Sequence, residues 1–236
     1  MQTPSNAAGS RDPQANLAGE FFSKFSPEAL KDLASMEYPS TYPANLVLFS
    51  ENDPAPGVMI VLCGEVRLSM NSSDGRRLTL RIARQGEILG LVSALSGNPC
   101  EMTGETLYPC KIARIERREF LAFLARHPET YKTVTEELSR QYSIACNQLR
   151  TVGLSASAPE KLARLLLDMG RNGQVTETGT RFRFSFTHEE IGEFIGTSRE
   201  TVTRTLNVFK HRQLVSLRGS TLSIPSRAAL ESYAHC

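Results

Sequence analysis

The hydrophobic pattern of this chain changes period twice, and each change restricts what the segment can fold into. From Asn45 to about Arg117, short apolar stretches alternate with turn residues every eight to twelve positions. The stretches are Leu46–Phe49, Val58–Cys63, Val66–Met70, Leu78–Ile82, Ile88–Leu91 and Ile112–Ile115. Between them stand Asn52-Asp53-Pro54, Cys63-Gly64, Asp74-Gly75, Gln85-Gly86 and Gly97-Asn98-Pro99. Many short strands joined by Gly, Pro and Asp turns predict a β-barrel or jelly roll. Asp74-Gly75 suits a tight hairpin, because glycine tolerates positive φ.

The second pattern begins at Pro128. No Pro or Gly interrupts the chain from there to Gly153. Tyr131, Thr135, Leu138, Tyr142, Ala145, Leu149 and Val152 are spaced 4-3-4-3-4-3. That is a heptad seam, and it predicts a long dimerisation helix over 128–153. A helix packed only on its own barrel is the competing reading.

The third pattern fills 154–236. Ser155-Ala-Ser-Ala-Pro159 reads as a hinge, and Pro159 opens a helix with Leu162, Leu165, Leu166 and Met169 on one face. Residues 180–186, TRFRFSF, read as a strand. Thr187 with Glu190 makes a capping box for a short helix carrying Ile191, Phe194 and Ile195. Gly196 breaks that helix, and Ser198 caps a second one with Val202, Leu206 and Phe209 as its buried stripe. Helix, glycine turn, helix is the helix-turn-helix signature. Leu214–Ile224 then reads as a hairpin, a wing with Arg218 and Ser220 near its tip.

The exposed face of the second helix carries Arg199, Glu200, Thr203 and Arg204, close to its N-terminal end. That end enters the major groove in this motif. Arginine can donate twice to guanine O6 and N7, and glutamate can accept from cytosine N4. These four residues are the expected base readers. Thr187, Thr197, Ser198, Arg218 and Ser220 suit phosphate oxygens. Charge agrees: residues 1–153 carry 16 basic and 17 acidic side chains, net −1, whereas 154–236 carry 11 and 8, net +3.

Composition removes the other classes. At 236 residues, 40% hydrophobic and 22% charged, the chain has enough apolar material for a real core. Its apolar runs, such as Val58 to Cys63, do not exceed six residues, far short of the roughly 20 of a membrane span. No apolar signal segment opens the sequence, so a cytoplasmic protein with no membrane partner is expected. The five cysteines contain no C-x-x-C pair, and they read as reduced thiols. There is no G-x-S-x-G, P-loop or G-x-G-x-x-G. His188-Glu189 starts like a zinc-protease helix, but Gly192 stands where the second ligand belongs. No catalytic residue, metal or cofactor is expected.

Ser198-Arg-Glu-Thr-Val-Thr-Arg-Thr-Leu206 closely resembles the recognition helix of the CRP/FNR family of bacterial regulators. The likeness runs from about residue 21 to 234. It includes Asp53-Pro54-Ala55, Cys63-Gly64-Glu65-Val66-Arg67, Gln85-Gly86-Glu87, Gly90, Phe120 and Pro128, in family order. It implies an α+β protein: an N-terminal cyclic-nucleotide-binding-like β jelly roll, a long dimerisation helix and a C-terminal winged helix-turn-helix. The implied organisation is a disordered arm at 1–20, an effector or sensor domain at 21–127, the helix at 128–153 and the DNA-binding domain at 154–236. The implied partners are a second copy of the chain, double-stranded DNA with a two-fold symmetric site and, for an activator, RNA polymerase. Thr203 departs from the CRP-like pattern toward the serine of FNR-like members.

The effector is a separate question. CRP-like cAMP sites use a Gly-Glu pair, an Arg-Ser pair and a Thr-Ser pair on the dimer helix. Here Gly90 precedes Leu91, the Arg-Ser region reads Asn98-Pro99-Cys100-Glu101-Met102, and the helix pair falls on Ala145-Cys146. An acid near the arginine position repels a phosphate. An effector pocket around Gly90, Leu91, Cys100, Glu101 and Cys146 would therefore not take cAMP in the usual way. No cysteine precedes Cys63, which removes the FNR-type iron–sulfur cluster. His127, His188, His211 and His235 lie outside the barrel stretch, so nothing supports haem. The alternatives are a thiol sensor built on Cys63, Cys100, Cys110 and Cys146, a module binding a different small molecule, or a constitutive dimer with no effector.

Overall fold

The structure, a computed structural model, describes residues 19–154 and 157–234. The expected arm lies outside the described residues except for Gly19 and Glu20. So do Ser155 and Ala156 of the expected hinge, and His235 and Cys236. The chain divides into two compact units, Met1–Leu68 with Ile82–Arg140 and Ser69–Arg81 with Gln141–Cys236.

The first unit is built on two antiparallel four-stranded sheets. One has the order β1 (Tyr38–Tyr42), β8 (Cys110–Ile115), β3 (Val58–Cys63), β6 (Ile88–Leu89). The other runs β2 (Val47–Phe49), β7 (Thr103–Thr106), β4 (Glu65–Asn71), β5 (Arg77–Arg84). The apolar run of β3 follows from burial on both faces. Met59 and Val61 point into the core shared with Val66, Leu68, Ala83 and Ile112. Val58, Ile60 and Leu62 point the other way, into a core closed by helices. Those helices are α1 (Pro27–Ser35), α2 (Leu91–Ser96), α3 (Arg117–Arg126) and the start of α4 (Thr130–Leu149). They contribute Ala29, Leu33, Leu91, Ala94, Phe120, Phe123, Leu124 and Val134. Ser26 caps α1 by accepting from the Ala29 N–H at 3.2 Å, with Pro27 in the first turn.

Three sequence expectations need correction here. The stretch Ile88–Leu91 is not one strand: β6 stops at Leu89, Gly90 takes φ 71°, and Leu91 begins α2. Strands β1 and β7, YPSTY and TGET, carry no apolar alternation and were not expected. Pro39 is tolerated because β1 is an edge strand paired only with β8. Regular α-helix ends at Leu149, and residues 150–154 form a π turn that includes Val152 and Gly153.

Helix α4 is not a simple two-sided seam. Thr130, Thr133, Val134 and Glu137 form one buried face, and Leu138 packs against the helical core beside them. Glu137 sits in a bidentate pair with Arg140, both contacts at 2.7 Å. Tyr131, Tyr142 and Leu149 lie on a different face and are exposed.

The second unit holds α5 (Ala158–Met169), β9 (Gln174–Thr176), β10 (Gly179–Arg183), α6 (His188–Ile195), α7 (Arg199–His211), β11 (Ser216–Arg218), β12 (Thr221–Ile224) and α8 (Arg227–Ala234). Its sheet order is β11-β12-β10-β9. Leu162, Leu166, Ile191, Ile195, Val202, Phe209, Leu222 and Leu230 are almost completely buried in it. The strand expected over 180–186 ends at Arg183. Phe184 then donates its N–H to Ser220 O at 2.7 Å, tying the strand exit to the β11–β12 turn. The tip of the β4–β5 hairpin, turning at Gly75 with φ 81°, belongs to this unit as well.

Candidate nucleic-acid interface

The interface begins with two caps and a turn. The Thr187 side chain accepts from the Glu190 N–H at 3.2 Å, and Glu190 Oε2 accepts from the Thr187 N–H at 2.8 Å, completing the capping box of α6. Gly196 ends α6 in the left-handed region, φ 60° and ψ 48°. Ser198 caps α7 by accepting from the Thr201 N–H at 3.3 Å. A residue that sequence reasoning noted only as a missing ligand proves decisive. A Cβ on Gly192 would sit 2.6 Å from Thr197 O, so α6 can approach the turn this closely only with glycine there.

With Val202, Thr205, Leu206 and Phe209 buried, the outer face of α7 presents Arg199, Glu200, Thr203 and Arg204 together. Asn207, Val208 and His211 extend the same face by two turns and were not expected. Glu200 is fully exposed. Its own backbone N–H, the Ser198 hydroxyl and the neighbouring Arg199 hold its carboxyl below the usual range, so it is an acceptor at neutral pH.

Thr203 is less free than its neighbours. Its hydroxyl donates to Arg199 O at 2.9 Å and lies 2.7 Å from His188 Nδ1. The imidazole tautomer decides which atom of the His188–Thr203 pair donates; when the threonine proton goes to Arg199 O, Nδ1–H donates and Thr203 keeps one lone pair and its methyl group for a base edge. In that arrangement it accepts from a base amino group or touches a thymine methyl. His188 is the second partner of this hydroxyl, a contact that no local sequence signal announces.

The phosphate candidates divide similarly. The hydroxyls of Thr187 and Ser198 are used by the caps, which leaves the backbone N–H groups at the two helix starts to meet an anion. Thr197 is half-buried in the turn, its N–H bonded to Gly192 O at 3.0 Å. Arg218 and Ser220 flank Gly219, which has φ 57°, and both are exposed at the wing tip. Arg212 holds the far end of α7 through a hydrogen bond to the Tyr233 hydroxyl and lies 5.8 Å from the centre of that ring.

Comparison with known proteins places this geometry. Residues 39–127 match the model of the cyclic nucleotide-binding domain, and residues 160–233 match that of the Crp-like helix-turn-helix domain. The chain belongs to the CRP/FNR family of DNA-binding transcriptional regulators. A CRP-like cAMP-activated global transcriptional regulator of Mycobacterium tuberculosis is 26% identical over 204 residues, 86% of this chain and 91% of that one. The cAMP-activated global transcriptional regulator CRP of Pasteurella multocida is 22% identical over 184 residues, 78% and 88% of the two chains. Among solved structures, the c-di-GMP responsive global regulator CLP of Xanthomonas campestris gives a TM-score of 0.73 at 20% identity, covering 85% of this chain and 100% of that one. CooA from Carboxydothermus hydrogenoformans, in a mutant form, gives 0.75 at 20%, covering 93% and 95%. The relatives are transcription regulators, not enzymes.

The residues expected around an effector pocket sit in different surroundings. Leu91 and Cys100 are 1% and 3% exposed, and each belongs to a hydrophobic core. Glu101 is exposed, Gly90 starts α2, and Cys146 lies on α4 in the other unit. Burial pushes the Cys100 and Cys110 thiols up, away from the reactive thiolate. Cys63 is exposed. Among the described residues, no cluster of three or more His, Cys, Asp or Glu could hold a metal ion. Among them, too, no helix is long and apolar enough to cross a membrane.

Proposed function

We propose that this CRP/FNR regulator binds a two-fold symmetric DNA site as a homodimer, without cAMP as the usual effector. The observation that carries the DNA reading is the capped start of α7, set on the Gly192/Gly196 turn, with Arg199, Glu200 and Arg204 exposed together. Arg199 and Arg204 suit guanine and Glu200 suits cytosine, while Thr203 accepts from a base or meets a methyl. Backbone N–H groups in the first turns of α6 and α7, after the Thr187 and Ser198 caps, with Thr197, Arg218 and Ser220, position the phosphates.

The exposed face of α4 supports the homodimer. Tyr131, Tyr142 and Leu149 are 48%, 73% and 69% exposed, and the last two are one heptad apart. Leu138 serves the protomer's own core, Ala145 is exposed on the stripe, and Val152, beyond the regular helix, lies toward Gly196 of its own chain. Residues 21–127 form the sensor part, α4 (Thr130–Leu149) the dimer helix and 154–236 the DNA reader. A dimer of this kind presents two recognition helices about 34–36 Å apart, one turn of DNA. A small molecule that shifts the segment between Gly153 and Pro159 would gate that spacing. The burial of Leu91 and Cys100, with Glu101 beside them, supports the loss of the cAMP contacts. RNA polymerase is the further partner if the protein activates.

The test is Arg199→Ala. Specific affinity falls by about 1–3 kcal/mol and preference relaxes at one base pair. Equal loss on all sequences would make Arg199 a phosphate contact and overturn its assignment.

A further inference from the structure

Three segments of the second unit meet at one side chain. Gln148 Nε2 donates to Phe194 O at 2.6 Å and to Thr79 O at 3.0 Å. Both partners are carbonyl oxygens, which only accept, so the nitrogen must face them. Thr79 is fully buried, and its hydroxyl donates to Glu193 Oε2 at 3.3 Å. Gln148 lies in the last turn of α4, Thr79 lies in β5, and Glu193 and Phe194 lie in the last turn of α6.

The position of Phe194 O gives the contact its meaning. It is among the last four carbonyls of α6, which have no partner within their own helix. Gln148 supplies the missing donor. One turn further along, Val152 Cγ1 lies 3.2 Å from where a Cβ on Gly196 would sit. Lys161 Nζ donates to Val152 O at 2.8 Å, which holds that turn in place. The end of the long helix, through Gln148, and the π turn after it, through Val152, therefore both meet the C-terminal end of α6, immediately before the turn that launches α7.

We infer that Gln148 is a positioning residue for DNA recognition, fixing the helix-turn-helix to the dimer helix through Phe194 and to the β4–β5 hairpin through Thr79. This rests on the two-fold dimer proposed above. Gln148 touches no base. It sets where α7 stands relative to the dimer axis, so it governs the match to half-site spacing and leaves base preference alone. The same side chain links the hairpin to the reader, so any displacement of Thr79 is felt at Phe194.

The experiment uses the full chain with Gln148→Met, which keeps the size and removes the donor, and Gln148→Glu, which sets a carboxylate against two carbonyls. Affinity is measured on the selected two-fold site, on that site with one base pair inserted between half-sites, and on a single half-site. Wild type prefers the unaltered spacing strongly. The Met variant loses roughly ten- to a hundredfold on the two-fold site, the scale of the two hydrogen bonds it removes. Its half-site affinity and base preference stay as in wild type, and its spacing preference narrows. The Glu variant shows a larger change in the same direction. Thr79→Val, which removes only the hydroxyl contact to Glu193, shows a smaller one and serves if a Gln148 variant fails to fold. Unchanged spacing preference in folded variants overturns the inference, as does an equal loss on all three DNAs. Arg199→Ala is run alongside: normal sequence preference in that variant would mean the DNA reading itself has failed.

Discussion

Leu149 offers the most quantitative test of the dimer. It is 69% exposed in the protomer, on the α4 face that also carries Tyr142. Fully burying a leucine side chain is worth about 1.5–3 kcal/mol. If the seam buries the exposed two-thirds in both copies, Leu149→Ala weakens the dimer by about 2–4 kcal/mol, before any cavity cost. At 1.4 kcal/mol per factor of ten, the dissociation constant rises roughly 30- to 700-fold. Sedimentation equilibrium over a dilution series reads this directly. Circular dichroism should show unchanged helix content, because most of the Leu149 side chain is exposed in the protomer. An unchanged dissociation constant in a folded Leu149→Ala protein would refute the seam. A fall in protomer stability with no change in association would show that α4 uses this face within the chain.

Three further outcomes follow from particular contacts. Gly192→Ala drives a methyl against Thr197 O, costs about 1–3 kcal/mol of stability in the DNA-binding unit and abolishes specific binding; a thermal melt and a binding titration check both. Glu37 has Oε1 buried without a hydrogen bond, and burial pushes its carboxyl up to about 7. The unfolded chain therefore loses its proton first as pH rises, and stability declines from the usual carboxylate range up to about pH 7. Glu37→Gln removes that decline, so its melting temperature exceeds wild type at pH 8, and an identical pH profile would contradict the burial argument. Calorimetric titration with cAMP shows no micromolar site; a micromolar site would overturn the proposed loss of the cAMP contacts.

What the sequence disclosed, and what it hid, depends on the range of the interactions. The caps at Thr187 and Ser198 and the turn at Gly196 are local, set by residues three or four apart, and they appear where spacing placed them. The run Val58–Cys63 was legible as a strand, but not its burial on both faces, which depends on helices from either side in sequence. Strand β1 was hidden because YPSTY has neither alternation nor an unbroken row of donors; only its edge position against β8 makes it a strand. The heptad spacing of α4 was real but did not say which face meets which neighbour. Leu138 turns to the helical core while Leu149 does not. The site residues that were missed, Gly192, His188 and Gln148, all act through partners outside their own helix. Their signals are a carbonyl at Thr197, a hydroxyl at Thr203 and carbonyls at Thr79 and Phe194, none of which a motif records.

The most direct test of the whole account is selection of bound sequences from random DNA by the purified protein with no added effector. The account predicts enrichment of a two-fold symmetric site whose half-sites lie about one helical turn apart, with guanine and cytosine fixed where Arg199, Arg204 and Glu200 reach. Enrichment of a single asymmetric half-site would contradict the dimer, and no enrichment from a folded dimer, with or without cell extract, would contradict the assignment of α7 as the reading helix.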